Sequence, residues 1–195
     1  MSIATSDPLR RVVLDVAVAI ARDEGPDAIS LRKVARDAGV SHQAPYHHFG
    51  DRAGIFAAIA EEGFSKLSAA LINCDNKGIT GMCETYVRFA LEHAGHFRVM
   101  MRNDLCDLQN YPSAVFQADR TFNLLLEEVT AALGNGASVD DIKTHTAFLW
   151  SVGHGLATLL LDGPLEKKLE GIDNVDVLIA HVAHLATTSL SRQIR

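Results

Sequence analysis

Histidine is the residue type in this chain whose spacing points most directly to chemistry, because imidazole carries protons and binds metals near neutral pH. His93 and His96, and likewise His181 and His184, are spaced so that each pair would share one helix face and could hold a metal ion. Neither pair has a cysteine or acidic partner at a suitable spacing. The Glu-x-x-His pairs of di-iron bundles are missing, as are the Gly-x-Ser-x-Gly, phosphate-loop and dinucleotide motifs. We therefore expect no metal, no cofactor and no catalytic residue, with a helical-bundle metal-binding protein or enzyme as the alternative hypothesis.

Two short helical patterns on either side of Gly39 form a second informative stretch, at residues 30–49. Ser30 is placed to cap a two-turn helix, because its hydroxyl can accept a hydrogen bond from a first-turn amide. Gly39 permits the left-handed turn that ends this helix. Ser41 is predicted to cap a second short helix that ends near Phe49. Together, the two helices and the three-residue turn between them predict a helix-turn-helix.

Helical periodicity extends over nearly the whole chain, and no convincing period-two run is bounded by hairpin turns. We therefore predict an all-α fold of about nine helices. Asp7 and Pro8 open the first helix, Asp51 caps the fourth and Ser138 caps the eighth. The buried stripe of the first helix is predicted to be Val12, Val16, Ala19 and Ile20. The predicted helices span about residues 8–24, 31–38, 41–49, 52–73, 80–94, 96–103, 112–133, 139–161 and 174–191, with residues 162–173 as a loop.

Residues 34–41, Val-Ala-x-x-Ala-Gly-Val-Ser, and residues 46–52, Tyr-His-His-Phe-Gly-Asp-Arg, together resemble the TetR family of bacterial repressors. The resemblance covers about residues 8–60. Residues 96–101 and the Trp-Ser-Val-Gly-His-Gly run from Trp150 are similar to the branch whose C-terminal domain carries a Trp-His-Gly signature. The resemblance implies a three-helix DNA-binding domain at residues 1–52 and a helical ligand-binding and dimerisation domain at residues 53–195. It also implies a homodimeric repressor, not an enzyme, that binds a palindromic operator in double-stranded DNA and is released by a small, largely apolar effector.

The same resemblance implies which side chains contact DNA. Residues 41–44 match the base-reading start of the recognition helix, where Gln43 could bond an adenine edge and the Ala44 methyl could touch a thymine methyl. Tyr46 and His48 match phosphate-clamping positions; for His47 and His48, the alternative is that one packs and the other is solvated. Many relatives have Thr-Leu where this chain has Ala44-Pro45. The complete predicted set of DNA contacts is Ser30, Arg32, Ser41, His42, Gln43, Ala44, Tyr46, His48 and Arg52.

Two long uncharged stretches, residues 144–161 and 177–191, indicate a buried interface. Polar side chains interrupt the first stretch, so burial against a partner is favoured over a membrane span. The prediction is a four-helix dimer interface with two helices from each subunit, in which small residues allow a close approach. Its predicted members are Gly153, Gly155, Leu159, Leu178, His181 and Leu185.

The resemblance further implies a small-molecule pocket among the middle helices, although ordinary core packing is the alternative for most of its residues. Tyr86, His93, His145 and Trp150 are favoured, because they combine an apolar body with a polar tip. His154 of the Trp-His-Gly match is interpreted as a structural histidine. The predicted pocket set is Tyr86, Phe89, His93, Phe97, Met101, Phe122, His145, Phe148 and Trp150.

The formal net charge of −6 does not by itself favour a nucleic-acid partner. Basic and acidic side chains balance within residues 1–52, however, so the whole acidic excess lies in residues 53–195. This distribution permits DNA contact confined to the N-terminal part. The 3 cysteines have no close spacing and the first residues lack a signal-peptide pattern, so we expect a cytoplasmic protein without a disulfide framework.

Overall fold

The computed structural model describes residues 7–74, 76, 78–163, 165–169 and 174–193, and the described chain contains helices and no strand. The helices are α1 (Pro8–Asp23), α2 (Leu31–Asp37), α3 (Ala44–Phe49), α4 (Arg52–Ile72), α5 (Ile79–Glu92), α6 (Ala94–Met100), α7 (Pro112–Leu133), α8 (Val139–Leu161), α9 (Leu165–Lys168) and α10 (Val175–Gln193). Single 3-10 turns occupy Pro26–Ala28 and Leu108–Asn110. The predicted all-α fold with nine helices is confirmed, and the one-turn α9 is an addition inside the segment predicted as a loop.

Four predicted helix starts are confirmed by their capping hydrogen bonds. Asp7 accepts from the Leu9 amide at 3.0 Å and Ser30 from the Lys33 amide at 3.2 Å. The Asp51 carboxylate accepts from the Gly54 amide at 2.8 Å. Ser138 and Asp141 form a reciprocal capping box at the start of α8. These caps are readable from sequence because donor and acceptor lie within one turn of each other.

The predicted cap at Ser41 is wrong. Helix α3 begins at Ala44, and its flanking residue Gln43 makes no side-chain capping bond. Residues 41–44 form a turn instead, in which the Ala44 amide donates to the Ser41 carbonyl at 3.0 Å. Pro45 accounts for the later start, because a helix capped by Ser41 would need the residue-45 amide to donate to the Ser41 carbonyl, and proline has no amide hydrogen.

The chain divides into two compact units, each built from two segments. Unit 1 comprises residues 1–65 and 93–118, and unit 2 comprises residues 66–92 and 119–195, of which only the described residues are considered. The sequence analysis instead divided the chain by function, into a DNA-binding domain at residues 1–52 and a second domain at residues 53–195. That division stays a prediction.

The core of unit 1 is formed by α1, α2 and the first turns of α4. Helix α1 buries Val13, Leu14, Ala17, Ile20 and Ala21. Of the stripe predicted for this helix only Ile20 is buried, and Val12 is 44% exposed. The prediction was wrong because two overlapping apolar rows run along this helix, and only packing against Ile55, Phe56 and Ile59 of α4 selects between them.

Helix α6 lies against α1 at a point where no side chain fits. A Cβ added at Gly95 would stand 2.3 Å from the Val18 carbonyl oxygen. Polar contacts join the same helices: Arg98 donates to the Arg22 carbonyl, and His96 Nε2 lies 3.1 Å from Glu62 Oε1 of α4. Arg11 of α1 pairs with the same Glu62 carboxylate. Helices α1, α4 and α6 are thus joined by both packing and hydrogen bonds within unit 1.

Unit 2 is built around the pairing of α5 with α8, with α10 packed on α5. One core cluster unites Ile79, Val129, Leu149 and Ala186, which come from α5, α7, α8 and α10. The Thr80 and Thr187 hydroxyls lie 2.9 Å apart, and Arg88 Nε donates to Asp176 at 2.9 Å. Among the described residues, no helix combines the length and apolar character that crossing a bilayer requires.

Candidate functional site

The α2–turn–α3 segment forms the predicted helix-turn-helix. Gly39 has φ +66°, the left-handed conformation expected of the residue that ends α2. The Val40 amide then donates to the Ala35 carbonyl at 3.0 Å, which closes the turn. Ala35 and Val34 are buried on the inner side of α2. The Gly39 conformation and the Val40–Ala35 hydrogen bond thus set the direction of α3 relative to α2.

One face of α3 and the turn before it is exposed, and its side chains that can hydrogen-bond include His42, Gln43, Tyr46 and His47. Gln43 and His47 are four residues apart, as are His42 and Tyr46, whose ring centroids lie 5.7 Å apart. The opposite side, Ala44 and Pro45, is buried. The sequence-based set of contacts omitted His47, although its four-residue spacing from Gln43 was a signal for it.

Two predicted DNA contacts lie on the inner side of α3. Ala44 is 6% exposed, so its methyl group is inside the protein and is not available to a thymine methyl, which corrects that prediction. The His48 side chain is 10% exposed, with its Nδ1 3.5 Å from Asp7 Oδ2. Its ring meets those of His47 and Phe49 edge to face. Of the two neighbouring histidines, His48 packs and His47 faces solvent.

Helix α2 presents one cation that is not paired within the described part of the chain. Lys33 pairs with Glu24 at 2.9 Å and with Asp37 at 3.3 Å, and Arg36 pairs with Asp37 at 2.9 Å. Arg32 is exposed, and no ion pair joins it to another described residue. It is therefore the α2 side chain whose charge is most available to an anion.

Arg52 is engaged inside unit 1. Its Nη2 donates to the Asp27 carbonyl at 3.1 Å and to the Pro26 carbonyl at 3.4 Å, and its guanidinium carbon lies 4.9 Å from the centre of the Phe56 ring. The side chain is still 44% exposed, so a phosphate contact stays a prediction. The sequence offered no signal for the link to residues 26–27, because the partners are 25 and 26 residues away.

In unit 2, the structure brings together three of the predicted pocket residues with His154. The Tyr86 hydroxyl lies 3.1 Å from His154 Nδ1. Burial raises the pKa of Tyr86 to about 12, while a hydrogen bond with Trp150 acts in the opposite direction. Burial also lowers the pKa of His154. The Trp150 and Phe122 rings are 5.7 Å apart and partly exposed. The cluster therefore consists of an uncharged hydrogen-bonded pair, Tyr86 and His154, next to the aromatic rings of Trp150 and Phe122.

The other predicted pocket residues are distributed differently. His93, Phe97 and Met101 belong to unit 1, and Phe89 is buried in unit 2. His145 Nδ1 lies 2.7 Å from the Asp141 carbonyl oxygen of the same helix. Phe148 is among the exposed apolar residues. These positions stay predictions as ligand contacts.

Most of the predicted dimer residues are exposed or partly exposed, and Gly153 is the exception. Leu159 and Leu185 are exposed, and nothing lies within 4 Å of a Cβ built at Gly155. His181 is exposed and Leu178 is partly buried. Gly153 instead faces α5, since its Cβ would lie 3.5 Å from Tyr86 Cδ1 and 3.7 Å from Cys83 Sγ. Gly153 is therefore withdrawn from the predicted interface.

The two pairs of spaced histidines lie in different units, His93 and His96 in unit 1 and His181 and His184 in unit 2. The His93 and His96 rings are 6.0 Å apart, but no group of three or more His, Cys, Asp or Glu side chains is arranged to hold a metal in the described part of the chain. His181 and His184 are both exposed on α10.

Comparison with known proteins matches both parts of the chain to one family. Residues 79–185, more than half of the chain, match the domain described as tetracyclin repressor-like, C-terminal domain. Residues 13–59 match the domain of bacterial regulatory proteins of the tetR family. A relative from Bacillus subtilis (strain 168), the uncharacterized HTH-type transcriptional regulator YobS, is 27% identical over 182 residues, which are 87% of this chain and 88% of that protein.

Solved structures agree in fold. A protein of unknown function from Rhodococcus sp. RHA1 has 28% identity and a TM-score of 0.74 over 99% of this chain and 98% of its own. A bacterial regulatory protein in the tetR family from Rhodococcus RHA1 has 16% identity and a TM-score of 0.72, over 95% of this chain and 98% of its own. With both of its parts matched, this chain belongs to the TetR family of transcription regulators, a DNA-binding family that is not a family of enzymes.

Proposed function

We propose that this regulator is a homodimeric repressor, acting in the cytoplasm, that binds a palindromic operator and is released by a small, largely apolar effector. The observation that carries the proposal is the exposed face of α3 and the turn before it, which presents His42, Gln43, Tyr46 and His47 to solvent. A short helix with one buried and one hydrogen-bonding face suits the major groove, where base edges present donors and acceptors.

The proposed contacts divide into base-reading and phosphate-binding groups. The Gln43 amide can both donate and accept, which suits the N6 and N7 atoms of adenine. Ser41 and His42 flank it in the base-reading group, whereas Tyr46 is proposed to clamp a phosphate. Arg32 is proposed to reach bases or phosphates, and Ser30 and Arg52 contact phosphates at the starts of α2 and α4 without reading sequence. Ala44 is not part of this set.

The dimer is proposed to form through the outward face of α8 and α10. This face carries Phe148, Leu159, Val177 and Leu185, all of which are exposed. Residues 144–161 of α8 and residues 177–188 of α10 include no charged side chain. Burying such a face stabilises association roughly in proportion to apolar area, at about 25 cal/mol per Å². Two-fold pairing would present two copies of α3 to half-sites about 34–36 Å apart.

The effector is proposed to bind beside Tyr86, His154, Trp150 and Phe122. Partly buried, neutral hydrogen-bonding groups beside aromatic rings suit a largely apolar molecule with a few polar atoms. The Trp-His-Gly branch remains part of this proposal. What supports it is that Trp150 and His154 both contact Tyr86 in unit 2.

The test is selection of bound duplexes from a random DNA library with the purified protein, followed by affinity measurements at several salt concentrations. We expect a palindromic site and an affinity that falls steeply with salt. Gln43→Ala should lose about 1–3 kcal/mol of discrimination at one base pair of each half-site. Gln109→Ala is the matched control, because Gln109 is an exposed glutamine of unit 1 outside the helix-turn-helix. Selection of no common sequence would contradict the proposal.

A further inference from the structure

Three side chains of unit 2 form a continuous chain of hydrogen bonds between α5 and α8. Trp150 of α8 is hydrogen-bonded to the Tyr86 hydroxyl of α5, and the same hydroxyl lies 3.1 Å from His154 Nδ1. Trp150 and His154 are four residues apart, so their side chains share one face of α8 and can both reach a single group on α5. The Tyr86 hydroxyl is thus the middle member of the chain.

The donors and acceptors of these groups set the direction of the chain. The indole nitrogen of Trp150 can only donate, so it donates to the Tyr86 oxygen. Burial raises the pKa of Tyr86 to about 12, so the hydroxyl keeps its hydrogen near neutral pH. Withholding an acceptor from a largely buried hydroxyl is costly, and His154 Nδ1 lies within reach. Tyr86 therefore donates to Nδ1.

The direction of this bond determines the tautomer of His154. A neutral imidazole has one nitrogen that accepts and one that donates. Burial lowers the pKa of His154, which keeps the ring neutral near pH 7. Because Nδ1 accepts from Tyr86, the ring hydrogen belongs on Nε2. His154 is partly exposed, as are the neighbouring rings of Trp150 and Phe122, so a molecule beside these rings can approach an imidazole that donates.

We infer that Tyr86 is a positioning residue that holds His154 as the Nε2–H tautomer, and that the effector site thereby selects uncharged molecules with a hydrogen-bond acceptor, such as a ketone or ester carbonyl. The inference rests on the proposed effector site and names the chemical class of its ligand. A hydrocarbon of the same shape offers no acceptor to this donor. A carboxylate loses its hydration at a site whose hydrogen-bonding groups are neutral.

The first part of the experiment determines the tautomer in the full-length, ligand-free protein. Long-range ¹H–¹⁵N NMR spectra of protein with ¹⁵N-labelled histidine distinguish the two tautomers near pH 8, where histidine is neutral. The His154 signals are assigned by their absence in His154→Phe. We expect the Nε2–H tautomer in the wild-type protein and a population of the Nδ1–H tautomer in Tyr86→Phe, whose ring cannot donate.

The second part compares three probes of nearly equal shape: acetophenone, α-methylstyrene and benzoate. The chain contains 1 tryptophan, so the single indole N–H signal of Trp150 reports binding at this site. We expect acetophenone to bind about fivefold more tightly than α-methylstyrene, as one neutral hydrogen bond allows. Benzoate should bind roughly tenfold more weakly than acetophenone, because its charge is desolvated without a counter-charge.

The variants connect the preference to the chain of hydrogen bonds. In His154→Phe, acetophenone and α-methylstyrene should bind equally, and in Tyr86→Phe the preference should be smaller than in the wild-type protein. Tyr111→Phe, which removes a hydroxyl from unit 1, is the matched control and should keep the full preference. Circular dichroism verifies that each variant folds.

The two parts separate failure of the inference from failure of the proposed site. An Nδ1–H tautomer in the wild-type protein, or equal binding of acetophenone and α-methylstyrene to it, would overturn the inference and leave the effector site standing. If none of the three probes moves the Trp150 signal, the proposed effector site is wrong, and the inference is wrong with it.

Discussion

At the scale of single residues, the contact between Tyr86 and His154 shows how burial sets the chemistry of unit 2. The hydroxyl and the ring nitrogen are 3.1 Å apart. Burial disfavours the charged form of each group, which raises the pKa of Tyr86 to about 12 and lowers the pKa of His154. Both are therefore neutral over a wide pH range, and the pair presents directional hydrogen bonds without a net charge.

The lowered pKa of His154 predicts how stability depends on pH. The unfolded chain binds a proton at this histidine more readily than the folded protein does, so acid favours unfolding. The stability contribution of the neutral ring is complete above the ordinary histidine pKa near 6.5, and it is lost as pH falls from there toward the lowered value.

The measurement is urea unfolding of the wild-type protein and His154→Gln from about pH 8 to about pH 5. We expect the free energy of unfolding to fall less steeply with acid in the variant, because all other titrating groups are common to both proteins. Parallel curves for the two proteins would contradict the assignment.

At the scale of helices, two serines of the helix-turn-helix look alike in sequence and differ in structure. Ser30 caps α2 through its hydroxyl, whereas Ser41 lies in a turn and contributes its backbone carbonyl. Helix starts were predictable wherever cap and partner lie within one turn, as at Asp7 and Asp51. The start of α3 was not, because a helix capped by Ser41 would need a donating amide at residue 45, which proline lacks.

The two serines give a matched prediction for stability. Ser30→Ala should lower the free energy of unfolding by about 1 kcal/mol, because the Lys33 amide loses its acceptor. Ser41→Ala should change the free energy by less than about 0.5 kcal/mol. Equilibrium denaturation of both variants compares them directly, and equal losses would show that the Ser41 hydroxyl also caps.

At the scale of the whole molecule, the family, the helix count and the uncharged stretch of α8 were predictable from sequence, because each depends on a pattern within a short segment. The sequence did not predict which residues of that stretch point outward. Gly153 and Gly155 are two residues apart, and only the packing of α8 on α5 turns the first inward. Likewise, the links of Arg52 to residues 26 and 27 and of Arg11 to Glu62 join segments far apart in sequence, which no local spacing reveals.

A charge placed on the proposed interface tests the dimer. Leu185 is 68% exposed, and in a two-fold dimer Leu185→Glu would bury two carboxylates without partners, which costs several kcal/mol. We expect a monomer in sedimentation experiments and a large loss of operator affinity, because half-sites are then bound singly.

Val139→Glu is the control, since Val139 is similarly exposed at the first position of α8, where a negative charge is favoured. This variant should behave like the wild-type protein. A Leu185→Glu protein that remains dimeric would place the interface elsewhere.

The glycine at position 95 determines how closely α6 can pack on α1. Because the Val18 carbonyl oxygen lies 2.3 Å from where a Cβ would stand, any side chain at residue 95 would push α6 away from α1. The contacts of Arg98 with the end of α1, and of His96 with Glu62, resist the same displacement. A side chain at residue 95 would therefore break the close packing of α6 on α1 and strain both of these polar contacts within unit 1.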